Sequence, residues 1–110
     1  MKNITETIQL TFGAPATDSA DKQLKQLFTG PRRKLIEIFL RNGAMLARHQ
    51  AKEPITVLCL SGSGTFRAGA LLEDEQRLIP GTLVTLEPEI DHEVTAEPEI
   101  QILVTKFTVD

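Results

Sequence analysis

The sequence has little of what several protein classes require: a second cysteine, a long apolar run and an excess of positive charge. Its single cysteine, Cys59, cannot form an intramolecular disulfide, and its apolar neighbours are typical of a small residue packed in a core. No apolar run approaches the length of a transmembrane helix, and the N-terminus lacks the continuous apolar segment of a signal peptide. We therefore expect a cytoplasmic protein with no membrane partner.

The charge argues against nucleic acid as a partner. The formal net charge of the 110 residues is −3, whereas binding to a phosphate backbone needs a basic surface. The basic run at residues 31–34 is short and is interpreted as the solvated start of a strand, and the acidic run at residues 73–75 as an exposed hairpin tip. Residues 61–64 (SGSG) are not followed by GK[ST] or by a helix, so they predict a tight turn rather than a phosphate loop.

Helical patterns are scarce. Two leucines and a phenylalanine recur at helical spacing within residues 19–29, where Asp18 or Ser19 can cap the start and Gly30, followed by proline, can end the helix. The spacing predicts one short amphipathic helix and no convincing second one. A fold in which helices alternate with strands is therefore not supported.

The rest of the sequence is typical of β-structure. Ile8, Leu10 and Phe12 alternate with polar residues, which is the pattern of a half-buried strand. After residue 31, turn sequences such as SGSG and AEPE separate short aliphatic and β-branched runs: KLIEIFL, MLARHQ, ITVLCL, TFRAG, QRLI, LVTLE, HEVTA and IQILVTKF. We expect an all-β protein with one domain overall, in which residues 1–30 form a strand and the short helix and residues 31–110 form a barrel or jelly roll.

The two histidines are the side chains most suited to chemistry. His49 and His92 are the only histidines, and each lies on a predicted strand or at its mouth beside apolar residues. Strand alternation places other side chains on the same face as His49, namely Met45, Ala51, Ile55 and Cys59. Both histidines are predicted to face one barrel interior, where apolar walls and a few polar groups make a ligand pocket. A histidine on an apolar strand can also be a hydrogen-bonded core residue, and both interpretations stay open.

The sequence from Gly43 onward resembles the cupin superfamily, whose members are jelly-roll barrels, also called double-stranded β-helices. The first cupin motif has a glycine, five residues, His-x-His, three or four residues, a glutamate, six residues and a glycine. Gly43, His49 and Gly62 fall on this spacing. The resemblance implies a single cupin barrel.

The second cupin motif has a glycine, five residues, Pro-x-Gly, two residues, a histidine, three residues and an asparagine. Gly81 and His92 match it. The proline, second glycine and asparagine positions are occupied by Glu87, Glu89 and Ala96, so this motif is only partly present.

In cupin enzymes the two motifs supply three histidines and a glutamate that hold iron, manganese, nickel or zinc. Here the second histidine position is Ala51 and the glutamate position is Ile55. Only His49 and His92 remain, whereas stable metal sites usually take three or more protein donors. Glu53 is a further candidate metal ligand because it lies two residues before the lost glutamate, although a turn adjoins it.

Three functions are compatible with these residues. The leading hypothesis is a small cupin that binds a small organic molecule in its barrel, with His49 and His92 as polar anchors. The second is an enzyme that recruits a divalent metal (Fe, Mn, Ni or Zn) to the two histidines for a dioxygenase-like or isomerase-like reaction. The third is a solidly packed barrel that acts through its surface. We also predict a homodimer, because apolar strand faces leave surface to cover and the strand at residues 8–12 can extend a partner's sheet.

Overall fold

A computed structural model describes residues 3–13 and 20–108. These residues contain seven strands and no helix, which confirms the all-β prediction. The strands are β1 (Lys22–Gly30), β2 (Arg33–Leu40), β3 (Met45–His49), β4 (Ile55–Ala68), β5 (Asp74–Leu78), β6 (Leu83–Leu86) and β7 (His92–Phe107). No segment of this described part is a helix that could cross a membrane.

Two long strands, β4 and β7, organise the fold. They pair with each other in antiparallel fashion, and each also pairs with two shorter strands on its other side. β7 pairs with β3 through its first half and with β2 through its second half, while β4 pairs with β6 and then with β5. Because both long strands are shared in this way, they connect two groups of short strands around one interior.

The predicted turn at residues 61–64 is instead the middle of β4, so this prediction was wrong. The register between β4 and β7 shifts twice between Cys59 and Gly64, which marks two irregularities in the ladder. Gly62 adopts a φ of +75°, and a Cβ atom there would lie 2.2 Å from the carbonyl oxygen of Glu99. These glycines therefore let β4 change direction while it remains beside β7.

The predicted turn at residues 96–99 also lies within a continuous strand. On β4, Gly62 pairs with Ile100 and Gly64 pairs with Ala96, so three residues of β7 lie opposite a single residue of β4. Pro98 is one of these three and has no N–H to donate to a ladder. The turn-forming residues thus produce a bulge in β7 rather than a break between two strands.

The predicted helix at residues 19–29 is a strand from Lys22 onward, and its proposed cap residues Asp18 and Ser19 lie outside the described residues. β1 pairs with β2, and the register shifts between Gln26 and Phe28. A bulge moves apolar residues from one face of a strand to the other, and this produces the spacing of three and four residues that resembles a helix. The prediction failed because sequence spacing alone does not reveal a bulge.

The predicted strand at Ile8, Leu10 and Phe12 does not join a ladder of the described chain. Ile8 and Leu10 are partly buried, whereas Phe12 is 66% exposed. Gln101 on β7 anchors the segment, because its Nε2 donates to the carbonyl of Thr11 at 3.1 Å. Gln101 Oε1 in turn accepts from the backbone N–H of Gly13 at 3.0 Å. The pairing of this segment with a second chain stays a prediction.

Gln101 also completes a buried polar network on the outer face of the sheet. It is 1% exposed, and its Nε2 donates to Oε2 of Glu37, which is 6% exposed, at 2.8 Å. Its Oε1 accepts from the hydroxyl of Ser61 at 2.8 Å. The side-chain amide therefore links β2, β4, β7 and the segment at residues 3–13 through four hydrogen bonds.

The interior is mostly aliphatic. Side chains alternate between the two faces of β2, β4 and β7, and the apolar ones point inward. The interior consists of Ile38, Leu40, Ile55, Val57, Cys59, Phe66, Ala68, Leu78, Val94, Ala96, Ile100, Ile102 and Val104. This core carries one buried histidine, His92, at the start of β7.

Candidate functional site

The pairing of β3 with β7 brings the two histidines together. His49 is the last residue of β3 and His92 is the first residue of β7, and their Cα atoms are direct partners in the ladder. Their rings are in contact in a tilted arrangement, with centroids 4.2 Å apart and an interplanar angle of 59°. Two residues that are distant in sequence thus form one imidazole pair.

Each imidazole is oriented by a backbone carbonyl two residues before it. Nδ1 of His49 lies 2.8 Å from the oxygen of Ala47, and Nδ1 of His92 lies 2.9 Å from the oxygen of Ile90. A carbonyl oxygen only accepts, so Nδ1 carries the hydrogen in both rings. The neutral form of each ring therefore keeps an unprotonated Nε2, whose lone pair can accept a hydrogen bond or bind a cation.

The two histidines differ in their exposure. His92 is 4% exposed and stacks on Phe66, with centroids 5.8 Å apart and planes 11° from parallel. His49 is exposed at the end of its strand. The pair therefore extends from the core to the surface, with His92 inside and His49 at the mouth.

A polar clamp holds the segments that carry the histidines. Asp91, next to His92, accepts hydrogen bonds from Nε of Arg48 at 2.7 Å and from Nε2 of Gln50 at 2.5 Å, and these two residues flank His49. The hydrogen bond from Gln50 and that from Arg48 hold the pKa of the Asp91 carboxyl below its usual value. Asp91 thus remains an anion that fixes one histidine segment against the other.

The histidines open onto a cavity of about 120 Å³. Its walls are aliphatic and aromatic apart from three residues, His49, His92 and Lys106. The lining consists of Leu24, Ile36, Ile38, Leu46, His49, Ala51, Ile55, Val57, Phe66, His92, Val94, Ile102, Val104 and Lys106. A mostly apolar cavity with a few polar groups is the usual form of a small-molecule site.

Of the four side chains expected beside the histidines, the structure brings Ala51 and Ile55 to the cavity but not Met45 or Cys59. Met45 is 38% exposed, and Leu46 lines the cavity in its place. The reason is a register shift in β3, where three residue steps from Leu46 to His49 correspond to two steps on β7. Strict alternation fails across such a bulge.

Cys59 lies in the core, 1% exposed, with its Sγ near the carbonyl oxygens of Ser61 and Gly62. Burial raises the pKa of its thiol, so the group stays protonated at neutral pH. This is the packing position that its apolar neighbours in the sequence indicate.

Leu24, Phe66 and Lys106 are among the cavity residues that were not anticipated. Leu24 was assigned to a helix, but as a strand residue of β1 it reaches the mouth of the cavity. Phe66 and Lys106 lie in segments correctly predicted as strands, and their alternation with buried neighbours was the signal that would have revealed them. Lys106, for example, follows Ile102 and Val104 at steps of two residues.

Burial lowers the pKa of His92, and the nearby positive charges of His49 and Lys106 lower it further, against the raising effects of the Ile90 carbonyl and Asp91. We expect a ¹H–¹⁵N NMR titration to give His92 a midpoint below its ordinary 6.5. The unfolded chain then takes up this proton at a higher pH than the folded chain does. Stability associated with His92 is therefore complete above pH 6.5 and is lost as the pH falls through the folded-state pKa.

A second titration, of the Lys106→Met variant, tests the cause of the lowered pKa of His92. Lys106→Met removes a positive charge near His92 and should raise its midpoint, whereas a midpoint at or above 6.5 in the unaltered protein would contradict the expected desolvation.

The donors present do not fit the three-histidine, one-glutamate metal site of cupin enzymes. Ala51 and Ile55, which occupy two ligand positions, put hydrocarbon into the cavity wall. Among residues 3–13 and 20–108, no group of three or more histidine, cysteine, aspartate or glutamate side chains could hold a metal ion, so Glu53 does not join the two histidines. Two imidazoles alone are a weak divalent-metal site.

No protein-family model matches the sequence, and no curated protein matches it. Solved structures do match. An RmlC-like cupin protein from Desulfovibrio desulfuricans superposes with a TM-score of 0.79 at 16% identity, over 93% of this chain and 96% of that chain. An RmlC-like cupin family protein with a double-stranded β-helix fold, from Methanocaldococcus jannaschii, gives a TM-score of 0.72 at 12% identity over 93% of both chains.

A third similar structure is KdgF from Halomonas sp., with a TM-score of 0.70 at 17% identity over 94% of this chain and 97% of that chain. At these identities the likeness concerns the fold and extends over nearly the whole of each protein. Together with the strand arrangement around the two-histidine cavity, it establishes the architecture. The chain has the double-stranded β-helix fold of the cupin superfamily.

Proposed function

We propose that the barrel binds a small organic molecule in its cavity, with His49 and His92 as polar anchors. The observation that carries this proposal is the imidazole pair itself. Both rings have Nδ1 satisfied by a backbone carbonyl, which leaves two Nε2 acceptors at an apolar cavity. A ligand that donates to Nε2 replaces water as the partner of this acceptor, and the apolar walls around it strengthen the new hydrogen bond.

The cavity has a suitable size for such a ligand. An apolar cavity of about 150 Å³ is known to accept benzene, so a cavity of about 120 Å³ with an open mouth suits a molecule of roughly six to eight non-hydrogen atoms. This space argues against the alternative in which the barrel is packed solid and acts only through its surface.

The metal-enzyme alternative requires donors beyond the two histidines. Water or the substrate would have to complete the coordination sphere, because no third described protein donor joins the pair. Metal analysis of protein expressed in metal-supplemented medium separates the two functions. We expect a metal content far below one ion per chain, whereas stoichiometric metal that His49→Ala removes would establish the enzyme alternative.

Ligand binding can be tested by a fragment screen with ligand-observed NMR, using acids, amides and alcohols that fit the cavity. His92→Phe keeps the ring and its stacking with Phe66 but removes the Nε2 acceptor. We expect it to weaken the binding of hydroxyl- or amide-bearing fragments about tenfold, because their donor loses its buried partner.

Met45→Leu is the matched control, because Met45 lies on the same strand as His49 but outside the cavity lining. It should leave the affinities unchanged. The proposal is overturned if no fragment binds the unaltered protein, or if the fragments bind His92→Phe as tightly.

A further inference from the structure

Lys106 is the one charged side chain in the lining of the cavity formed by the described residues. It lies near the end of β7 and faces the same side of the sheet as Ile102 and Val104, whose side chains are 1% and 7% exposed. Lys106 is itself partly buried. The Lys106 side chain therefore borders the apolar interior of the barrel.

No carboxylate of residues 3–13 and 20–108 forms an ion pair with Lys106. The strand beside it increases the local positive charge, because Lys34 on β2 is the direct Cα partner of Lys106 in the ladder. Like charges placed opposite one another across strands are unfavourable. This arrangement is compensated when an anion occupies the cavity mouth.

The charge of Lys106 also acts toward the histidines, since its Coulomb interaction lowers the pKa of His92. The ammonium and the imidazole pair therefore belong to the same electrostatic environment.

We propose that the ligand is a small organic anion with two polar ends, a carboxylate that pairs with Lys106 and a hydroxyl group that donates to the histidine Nε2 atoms. This inference rests on the proposed ligand-binding function and narrows it to one chemical class. The two ends are distinct because Lys106 can only donate, whereas the neutral histidines present only acceptors to the cavity. The aliphatic wall between them contacts a short carbon chain.

The test uses three probes of matched size: 3-hydroxybutyrate, its uncharged amide 3-hydroxybutyramide, and butyrate, which lacks the hydroxyl group. Dissociation constants come from ¹H–¹⁵N chemical-shift titrations at pH 8, where His92, whose pKa is lowered by burial, is neutral. We expect 3-hydroxybutyrate to bind roughly tenfold tighter than the amide, since a hydrogen bond to a charged group is stronger than one between neutral groups. Butyrate should bind more weakly than 3-hydroxybutyrate, because it cannot donate to Nε2.

Lys106→Met should abolish the preference for the acid over the amide while keeping the length and apolar volume of the side chain. Lys34→Met is the matched control, because it removes the same charge from the neighbouring strand at a residue that does not line the cavity. Its preference for the acid should fall much less than that of Lys106→Met, because Lys34 adds to the local positive charge without lining the cavity.

Equal losses in the two lysine variants would show a general charge effect and overturn the inference. If the amide binds as tightly as the acid, and His92→Phe weakens both, ligand binding by the histidines stands and the anion is wrong. Failure of all three probes to bind at millimolar concentration also overturns the anion assignment, and the neutral members of the fragment screen then decide the broader proposal separately.

Discussion

Gly62→Ala is expected to lower the free energy of unfolding by about 3 kcal/mol. The left-handed φ of +75° costs an L-residue about 1–2 kcal/mol. The new Cβ would lie 2.2 Å from the carbonyl oxygen of Glu99, and the backbone shift that relieves such overlap costs about another 1–3 kcal/mol. Because that neighbour is backbone of β7, rotation of a side chain cannot relieve the contact.

Gly43→Ala is the matched control for this prediction. Gly43 has a similar φ of +70°, but a Cβ there meets nothing within 4 Å, so only the conformational cost of about 1–2 kcal/mol applies. Urea unfolding followed by far-UV circular dichroism measures both variants without relying on tryptophan, which the sequence lacks. Equal losses would show that the contact between β4 and β7 at Gly62 relaxes without cost.

Gln101→Met is expected to lower the free energy of unfolding by roughly 3 kcal/mol. The substitution nearly preserves side-chain length but removes four hydrogen bonds, and it leaves the buried Glu37 carboxylate without its amide donor. An unsatisfied buried charged group costs more than the net worth of the hydrogen bond that it lost, typically about 1–3 kcal/mol or more. The same change should release the segment at residues 3–13, which limited proteolysis detects as faster cleavage there.

The double variant Glu37→Leu/Gln101→Met separates these two effects. Removing both polar partners avoids a buried unpaired carboxylate, so it should recover at least about 1 kcal/mol relative to Gln101→Met alone. Cleavage at residues 3–13 should stay fast, because the hydrogen bonds to Thr11 and Gly13 remain absent. A double variant less stable than the single one would show that the Glu37 carboxylate has another stabilising role.

The sequence was sufficient to predict the β-class and the cupin barrel, because alternation and motif spacing survive where strands are regular. His49 and His92 were identified from their positions in the two motifs, and the ladder between β3 and β7 makes them direct partners. Gly62 was likewise recognised as a motif glycine, but as part of a turn. In the structure, a glycine is required at this position because β4 approaches the backbone of β7 closely there. No local sequence pattern reveals this approach.

The failures have one physical source, which is irregularity within strands. A bulge in β1 produced a false helical spacing, and a bulge in β3 placed Leu46 rather than Met45 at the cavity. Turn-forming residues inside β4 and β7 suggested breaks, although the two long strands continue through them. Period-two reasoning is valid only between bulges, and bulge positions depend on the partner strand.

The position of β7 has a consequence for the order in which the protein folds. Its partners β2 and β3 are distant from it in sequence. Leu40 pairs with Ile100, and His49 pairs with His92. A large loop must close before each of these pairs can form. Contacts that are so distant in sequence are typical of slowly folding β-sandwich proteins. The imidazole pair exists only once β3 has paired with β7. A molecule held by both rings therefore binds only the finished barrel, and it opposes unfolding in proportion to its free concentration.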